Sequence, residues 1–499
     1  MFNSLPPEKK DKIKFALGVL VILFIFLDMA LININAPFDH VTADSNGFFG
    51  LAAENLAQKG IWQMKFGMYP DLIRPGDILP GHYYIDHPDA FIFPTVFLYK
   101  FFGVSEATTR LGPILEMLLA LGLFAYALRK IFRDDFKAWL STLILAILPG
   151  FIFYGETMEI SSAALAAAIA GFSLFVLCFP EQKKANLIFF YLSIFIGCLF
   201  GWFFYFMALL LWFYLLFSKM PAKLKPLIII PILVLAAAAV TVAHFFWLNG
   251  NVVGDLIGAA AFRTQGVPWH AWLVKISSML VLHANFIFLI LAVDGMIIFF
   301  LRWRKNSAWH IFLPLLIFPF LICASFRQWV THPFGVIYFL PIIAVFAGIG
   351  LFALSHLLRL VFTRFGRPIA IAAVSAIMLA GAFFSYTNLE YFFNGFLILN
   401  KGDIDLFRNL SQAKDLQDYN VCLGSNNLHI NITPIVEWYL GKKVSCEFPD
   451  KIKVVLAYNL SSDKIMGGKY YANEWQYFEN LGYKPGGCSG FLCSLIKAE

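Results

Sequence analysis

The chain has 499 residues, of which 60% are hydrophobic, 17% aromatic and only 14% charged, and its mean hydropathy is +0.73. That balance excludes an ordinary soluble domain and points to a polytopic membrane protein. The net charge of +7 does not indicate a nucleic-acid partner, because Lys and Arg fall in short clusters between apolar runs and form no basic face.

About 20 apolar residues in helix cross the ~30 Å hydrocarbon core of a bilayer. The run from Phe15 to Ile34 meets that length with one acid, Asp28. It is too long for the apolar part of a signal peptide, and PPEKKDKIK lies too far from any small-residue cleavage site. A retained anchor is expected. Further spans are predicted at 111–130, 137–154, 160–179, 186–200, 202–218, 226–247, 283–302, 309–325, 334–356 and 369–388, eleven with the first.

Positive charge tests that count, since cytoplasmic loops are enriched in Lys and Arg. Lys9, Lys10, Lys12 and Lys14 precede the first span, and Arg129, Lys130, Arg133 and Lys137 follow the second. Lys183 and Lys184, then Lys219, Lys223 and Lys225, then Arg302, Arg304 and Lys305, then Arg359, Arg364 and Arg367 continue the alternation. These six clusters are assigned inside. The opposite face then receives residues 36–110, the turns near 155–160 and 201, the loops 249–282 and 326–333, and the tail from about 390. The expected place is a bacterial inner (cytoplasmic) membrane, with a cytoplasmic N-terminus and an extracytoplasmic tail.

The first outer loop opens FDHVTADSNGFFGLAAENLAQKG. Phe48, Leu51, Ala52, Asn55 and Leu56 repeat at helical spacing after Asp44-Ser45-Asn46-Gly47, so Asp44 is expected just ahead of a helix at the membrane surface. Read in isolation it is an N-cap carboxylate. Downstream, AFIFPTVFLYKFF is too short to span and suits a helix half-sunk in the interface. Asp86 and His87 enter that helix and Arg110 leaves it. A charge at such depth is costly unless paired or functional. Asp28, Glu116 and Asp294 lie inside spans and keep a second reading open, a secondary transporter or lipid flippase coupled through intramembrane acids.

The domains are therefore expected at 1–389, a transmembrane catalytic domain whose first outer loop is 36–110, and 390–499, a small soluble α/β domain. In the tail VCLG, KVSC and KVVLAY read as short strands, and TPIVEWYLG as a helix with Pro at its start and Gly at its end. An oxidising exterior permits disulfides: Cys488–Cys493 across CSGFLC and Cys422–Cys446 between strands.

Asp44 followed by GFFGLAAENLAQKG, then YIDHPDAFIFPTVFLYKFFGVSEATTRLGP, then a positive turn, resembles the first half of glycosyltransferases of the GT-C superfamily. These enzymes use polyprenyl-phosphate-linked sugars and include protein O-mannosyltransferases and lipid A aminoarabinose transferases. FGVSEATTRL is the closest match, and the resemblance covers roughly residues 10–220 by sequence and 220–390 by topology. It implies an α-helical polytopic fold with interfacial helices in the first loop, and Asp44 as catalytic base or acceptor-positioning acid. Glu159 in YGETMEI stands where relatives usually carry Asp, with Glu156 as the substitute. His87 and Pro88 match the family's HP motif, and Arg110 its Arg at the start of span 2. Two departures stand out: Ser45 replaces a common acid, and FGWFFYF around Trp202 replaces a Thr-Lys-Gly that contacts phosphate in the aminoarabinose type.

Phosphate recognition then falls to other outer cations. Arg263 in AAAFRTQGVPWHAW, Arg327 in FRQWVTHP and His332 are the candidates. Arg327 reads equally as a snorkelling anchor, and His332 as a structural histidine. The implied reaction is direct displacement with inversion: Asp44 accepts the acceptor's proton, Glu159 assists, and Asp86, His87, Arg110, Arg263, Arg327 and His332 bind substrate. The expected partners are the lipid-linked sugar, the membrane, and a lipid, glycan or protein acceptor, with no nucleic acid. The pattern identifies no certain cofactor. A divalent metal is left open, since Asp86, His87 and His332 supply donors whose spacing fixes no site.

Overall fold

A computed structural model describes residues 6–38, 43–70, 83–179, 184–218, 224–249, 252–264, 267–303, 307–328, 332–362, 365–395, 401–412, 420–423, 435–440, 452–458, 483–489 and 492–497. The chain divides into two compact units. One comprises Met1–Ile34, Ile85–Phe91 and Leu111–Glu390, the other Asn35–Tyr84, Ile92–Arg110 and Tyr391–Glu499.

In chain order the helices are α1 (Pro7–Ala30), α2 (Ala43–Lys59), α3 (Phe93–Phe102), α4 (Glu106–Phe132), α5 (Asp135–Ile147), α6 (Pro149–Gly155), α7 (Ile160–Cys178), α8 (Lys184–Phe200) and α9 (Trp202–Phe217). They continue as α10 (Leu224–Leu248), α11 (Val252–Thr264), α12 (Trp269–Ala284), α13 (Phe286–Trp303), α14 (Leu313–Ser325), α15 (Leu340–Val361), α16 (Gly366–Gly395) and α17 (Lys401–Gln412).

Among the described residues six helices are long and apolar enough to cross a membrane, and two bent pairs raise the number to eight. Six of the eleven predicted runs match these long helices, 137–154 and 283–302 fall on the bent pairs, and 186–200, 202–218 and 309–325 fall on the shorter apolar helices Leu187–Phe200, Trp202–Phe217 and Trp309–Ser325. The chain is an integral membrane protein whose long helices expose large apolar side chains, as at Leu20, Phe24, Leu119, Leu235 and Leu379.

The predicted span 137–154 is the pair α5 and α6, bent by 62° at Leu148, where Pro149 cannot continue a regular helix. The predicted span 283–302 belongs to a pair, α12 and α13, bent by 106°. At that corner Asn285 takes φ 52°, a region Asn tolerates better than most residues. Its Oδ1 caps α13 by accepting from Phe288 N–H at 3.1 Å, while its Nδ2 donates to Gly381 O at 3.1 Å and Ser385 Oγ at 2.8 Å. The side chain therefore satisfies the free amide the break creates and ties the corner to α16. Helix α13 crosses α15 in contact so close that a Cβ on Gly295 would sit 1.8 Å from the Phe346 carbonyl oxygen. Small residues let two backbones approach this closely in a membrane bundle.

In the second unit α2 starts at Ala43, so Asp44 lies inside its first turn and not ahead of it. Local propensity places a break at Ser45-Asn46-Gly47, but packing overrides it: Asn46 and Gly47 are buried, as are Leu51, Ala52, Asn55 and Leu56 on the predicted face. Helix α3, preceded by the single turn Ala90–Ile92, buries Thr95, Val96 and Tyr99 and exposes Phe97, Phe101 and Phe102, the two-sided character expected of an interfacial helix. The tail contributes α17, a helix at 435–440 where TPIVEWYLG was expected to form one, and a four-stranded sheet.

That sheet has the order β1 (Asn420–Leu423), β2 (Ile452–Tyr458), β4 (Leu492–Lys497), β3 (Tyr483–Ser489). Strands β1 and β2 are parallel, and β4 is antiparallel to both β2 and β3. VCLG and KVVLAY are thus strands, while KVSC and its Cys446 lie outside the described residues.

Candidate functional site

The first unit collects most of the predicted site around the short segment Ile85–Phe91. Three helices hold it. Trp202 at the start of α9 donates its indole N–H to the Asp86 carbonyl at 2.8 Å, Arg263 in the last turn of α11 donates to Asp86 Oδ2 at 3.0 Å, and His244 Nδ1 of α10 stands 3.8 Å from Asp89 Oδ2. Asp86 and Arg263 are thus partners although 177 positions separate them. Trp202 thus ties the start of α9 to the backbone of the DHP segment.

His87 is buried to 2% exposure, its ring centroid 6.0 Å from that of Phe203. Burial first, and the nearby Arg263 charge second, hold its pKa well below 6.5, so the imidazole is neutral at neutral pH. Above pH 6.5 folded and unfolded chains both carry it neutral and it adds no pH dependence. As pH falls below 6.5 the unfolded chain takes up the proton first, and stability declines by up to about 1.4 kcal/mol per pH unit until the folded-state pKa is reached. Thermal melting of the detergent-solubilised protein is therefore expected to show an acid-side loss that His87→Gln reduces. Identical profiles for the two proteins would refute this assignment.

His332, outside the bundle's long helices, stacks on Phe334 with centroids 5.0 Å apart and planes 4° from parallel. Its pKa is lowered by partial burial, then by Arg263 and Lys275. Both cations therefore act on the His332 ring. Lys275 on α12 carries no motif and was not among the sequence candidates. Arg327 lies over the Trp269 ring at 5.2 Å, a cation–π contact that fixes a guanidinium while leaving its donors available.

Glu156 and Glu159 occupy the turn between α6 and α7 and are both buried. Glu159 is the N-cap of α7, its carboxylate accepting from the Ser161 N–H, which suits an anion at a helix N-terminus. Tyr154, just before the turn, stacks on His283 at 5.6 Å and 9°.

The second unit carries Asp44 and Arg110. Asp44 is in the first turn of α2, its side chain outside the described residues. Arg110 is fully buried. Its guanidinium donates to the Ala36 carbonyl at 2.6 Å and the Pro37 carbonyl at 3.3 Å and lies 5.0 Å from the Phe38 ring centroid. It thereby fixes the chain that leads into α2. Cys488 and Cys493 stand directly opposite each other in the β3–β4 ladder, and Cys422 is in β1 opposite Val455. Among the described residues no group of three or more His, Cys, Asp or Glu is arranged to hold a metal ion.

No protein-family model and no curated protein matches the sequence. Solved structures do match the fold. ArnT from Cupriavidus metallidurans in the apo state is 10% identical, with a TM-score of 0.64 over 99% of each chain. The same enzyme bound to undecaprenyl phosphate is 13% identical, with a TM-score of 0.64 over 97% of this chain and 98% of that one. The apo oligosaccharyltransferase of Archaeoglobus fulgidus is 13% identical, with a TM-score of 0.60 over 89% of this chain and 69% of its own. At such low identity the likeness concerns architecture: this chain shares its fold with ArnT and with the archaeal oligosaccharyltransferase.

Proposed function

We propose that this protein is an inverting membrane glycosyltransferase that moves a sugar from a polyprenyl-phosphate donor to an acceptor on the extracytoplasmic side. The observation that carries the reading is the full-length correspondence with a structure bound to undecaprenyl phosphate. An archaeal oligosaccharyltransferase in complex with dolichol-phosphate and an inhibitory peptide shares the fold, with a TM-score of 0.59. The Arg263 guanidinium, anchored on Asp86 and acting together with Lys275 on His332, supports a phosphate-binding role, because charge-assisted bonds from preorganised cations recognise phosphate well.

In this reading Asp44 takes the proton of the acceptor hydroxyl or amine, Glu159 assists, and Arg263, Arg327, His332 and Lys275 stabilise the departing phosphate. A sugar 1-phosphate already has a good leaving group, so positioning and one proton acceptor suffice. Asp86 orients Arg263, His87 supports the segment as a neutral ring, and Arg110 holds the entry to α2. Eleven spans result if each bent pair and the three shorter helices cross the bilayer, with the N-terminus inside and 390–499 outside.

The test compares lipid and glycan extracts of cells expressing the wild-type protein with those of cells expressing Asp44→Asn. A product heavier by one sugar is expected only with the wild type. Identical extracts would defeat the reading, and solute movement unaffected by the substitution would favour a transporter. We further propose a Cys488–Cys493 disulfide, since opposed antiparallel Cα atoms about 4.5–5.5 Å apart match disulfide geometry. Intact-mass and peptide mapping of unreduced protein should find that bridge; free thiols at both positions would rule it out.

A further inference from the structure

The tail meets the Asp44 segment through a defined polar junction. The Tyr439 hydroxyl accepts from Phe38 N–H at 2.8 Å and donates to Glu106 Oε1 at 3.1 Å. The same Glu106 oxygen accepts from Arg408 of α17 at 2.9 Å, and the Arg408 guanidinium lies 5.1 Å from the Tyr439 ring centroid. One phenol thus joins three parts of the sequence: the chain before α2, the start of α4 and the tail. Phe38 is fully buried, 5.5 Å in ring centroid from Trp438 and 6.3 Å from Tyr439.

Helix α2 itself rests on the same tail helix at 435–440. A Cβ on Gly47 would come within 2.9 Å of the Ile435 side chain and 3.2 Å of its backbone, and one on Gly50 within 3.2 Å of Trp438. Gly47 is three residues from Asp44 and Phe38 is six, so tail residues grip the Asp44 turn on both sides. Burial pushes the Tyr439 pKa up, with the Glu106 charge adding to it, and the phenol stays protonated to keep both bonds.

We propose that Tyr439 is a positioning residue: by bridging Phe38 N–H to Glu106 it holds the turn that carries Asp44, making the tail part of the transfer machinery. The inference rests on Asp44 acting in transfer, as proposed above. A reacting group displaced by about 1 Å can lose about a hundredfold in rate, and substrate binding elsewhere would be unaffected.

The experiment uses the full-length protein and a radiolabelled polyprenyl-phosphate sugar with membrane extract as acceptor source. Tyr439→Phe keeps the ring and removes both hydrogen bonds. It should lower kcat about 10- to 100-fold with KM for the lipid donor unchanged, while amide exchange rises in peptides covering 36–47 and not in those of the transmembrane helices. Glu106→Gln, which keeps an acceptor for the phenol, should retain most of kcat, and Glu106→Ala should behave like Tyr439→Phe. Unchanged kcat in Tyr439→Phe overturns the inference, as does a loss accompanied by raised exchange throughout the protein. If Asp44→Asn is inactive and Tyr439→Phe normal, only this inference fails; if Asp44→Asn is fully active, the transferase reading itself fails.

Discussion

Asp44→Asn is expected to lower sugar transfer by about 10²- to 10⁴-fold, the usual contribution of a positioned general base. Asn preserves the size of the side chain at the first turn of α2 and one acceptor oxygen, and removes the negative charge and the basicity. Donor affinity, measured by native mass spectrometry with undecaprenyl phosphate, should therefore stay within about twofold, because a group acting in the transition state alone affects kcat and leaves ground-state binding intact. A parallel loss of donor binding would move Asp44 from proton acceptance to donor recognition.

The second large effect is expected at Arg263. Removing a preorganised donor to developing negative charge costs about 10²- to 10³-fold in kcat, or about 2.7–4 kcal/mol. Arg263→Gln also leaves Asp86 without the guanidinium that contacts it at 3.0 Å. Asp86→Asn retains Arg263 and loosens only its orientation, so a smaller loss, about tenfold, is expected from misplacement. Steady-state kcat and KM for the lipid donor in the two variants check this ordering. An Asp86→Asn defect larger than that of Arg263→Gln would assign the chemistry to the carboxylate instead.

Much of this architecture is legible in the sequence because a bilayer imposes a length on apolar runs and because positive charge alternates around them. Six of the eleven predicted runs match helices long and apolar enough to cross a membrane and two more fall on bent pairs, and Asp44, DHP and SEATTRL carry the GT-C resemblance within about 70 residues. The corners are harder to read. Nothing local in HANF announces that Asn285 turns the chain by 106° through bonds to Gly381 and Ser385 about a hundred positions away. The DSNG stretch looks like a break and is helical, since its buried face is supplied by Ile435.

The site shows the same division. The reactive residue types stand out because acids and histidines are rare in so apolar a chain, but their partners do not. Asp86 finds Arg263, Glu106 finds Arg408 and Tyr439, and Asp89 finds His244, each across more than 150 positions. Lys275 looks like any charge on a loop-proximal helix until its effect on His332 is seen. Arg110 reads from sequence as a substrate-binding residue; its described bonds go to the carbonyls of Ala36 and Pro37, a partner set that no spacing rule encodes.

The most direct measurement follows the labelled sugar itself. Purified protein is reconstituted with a radiolabelled undecaprenyl-phosphate sugar and acceptor-containing membranes from cells lacking this protein, and the label is traced with its anomeric configuration. Label leaving the lipid for an acceptor with inverted configuration, with wild type and not with Asp44→Asn, is the predicted result. Label that stays on the donor with both proteins, or leaves equally with both, would contradict it.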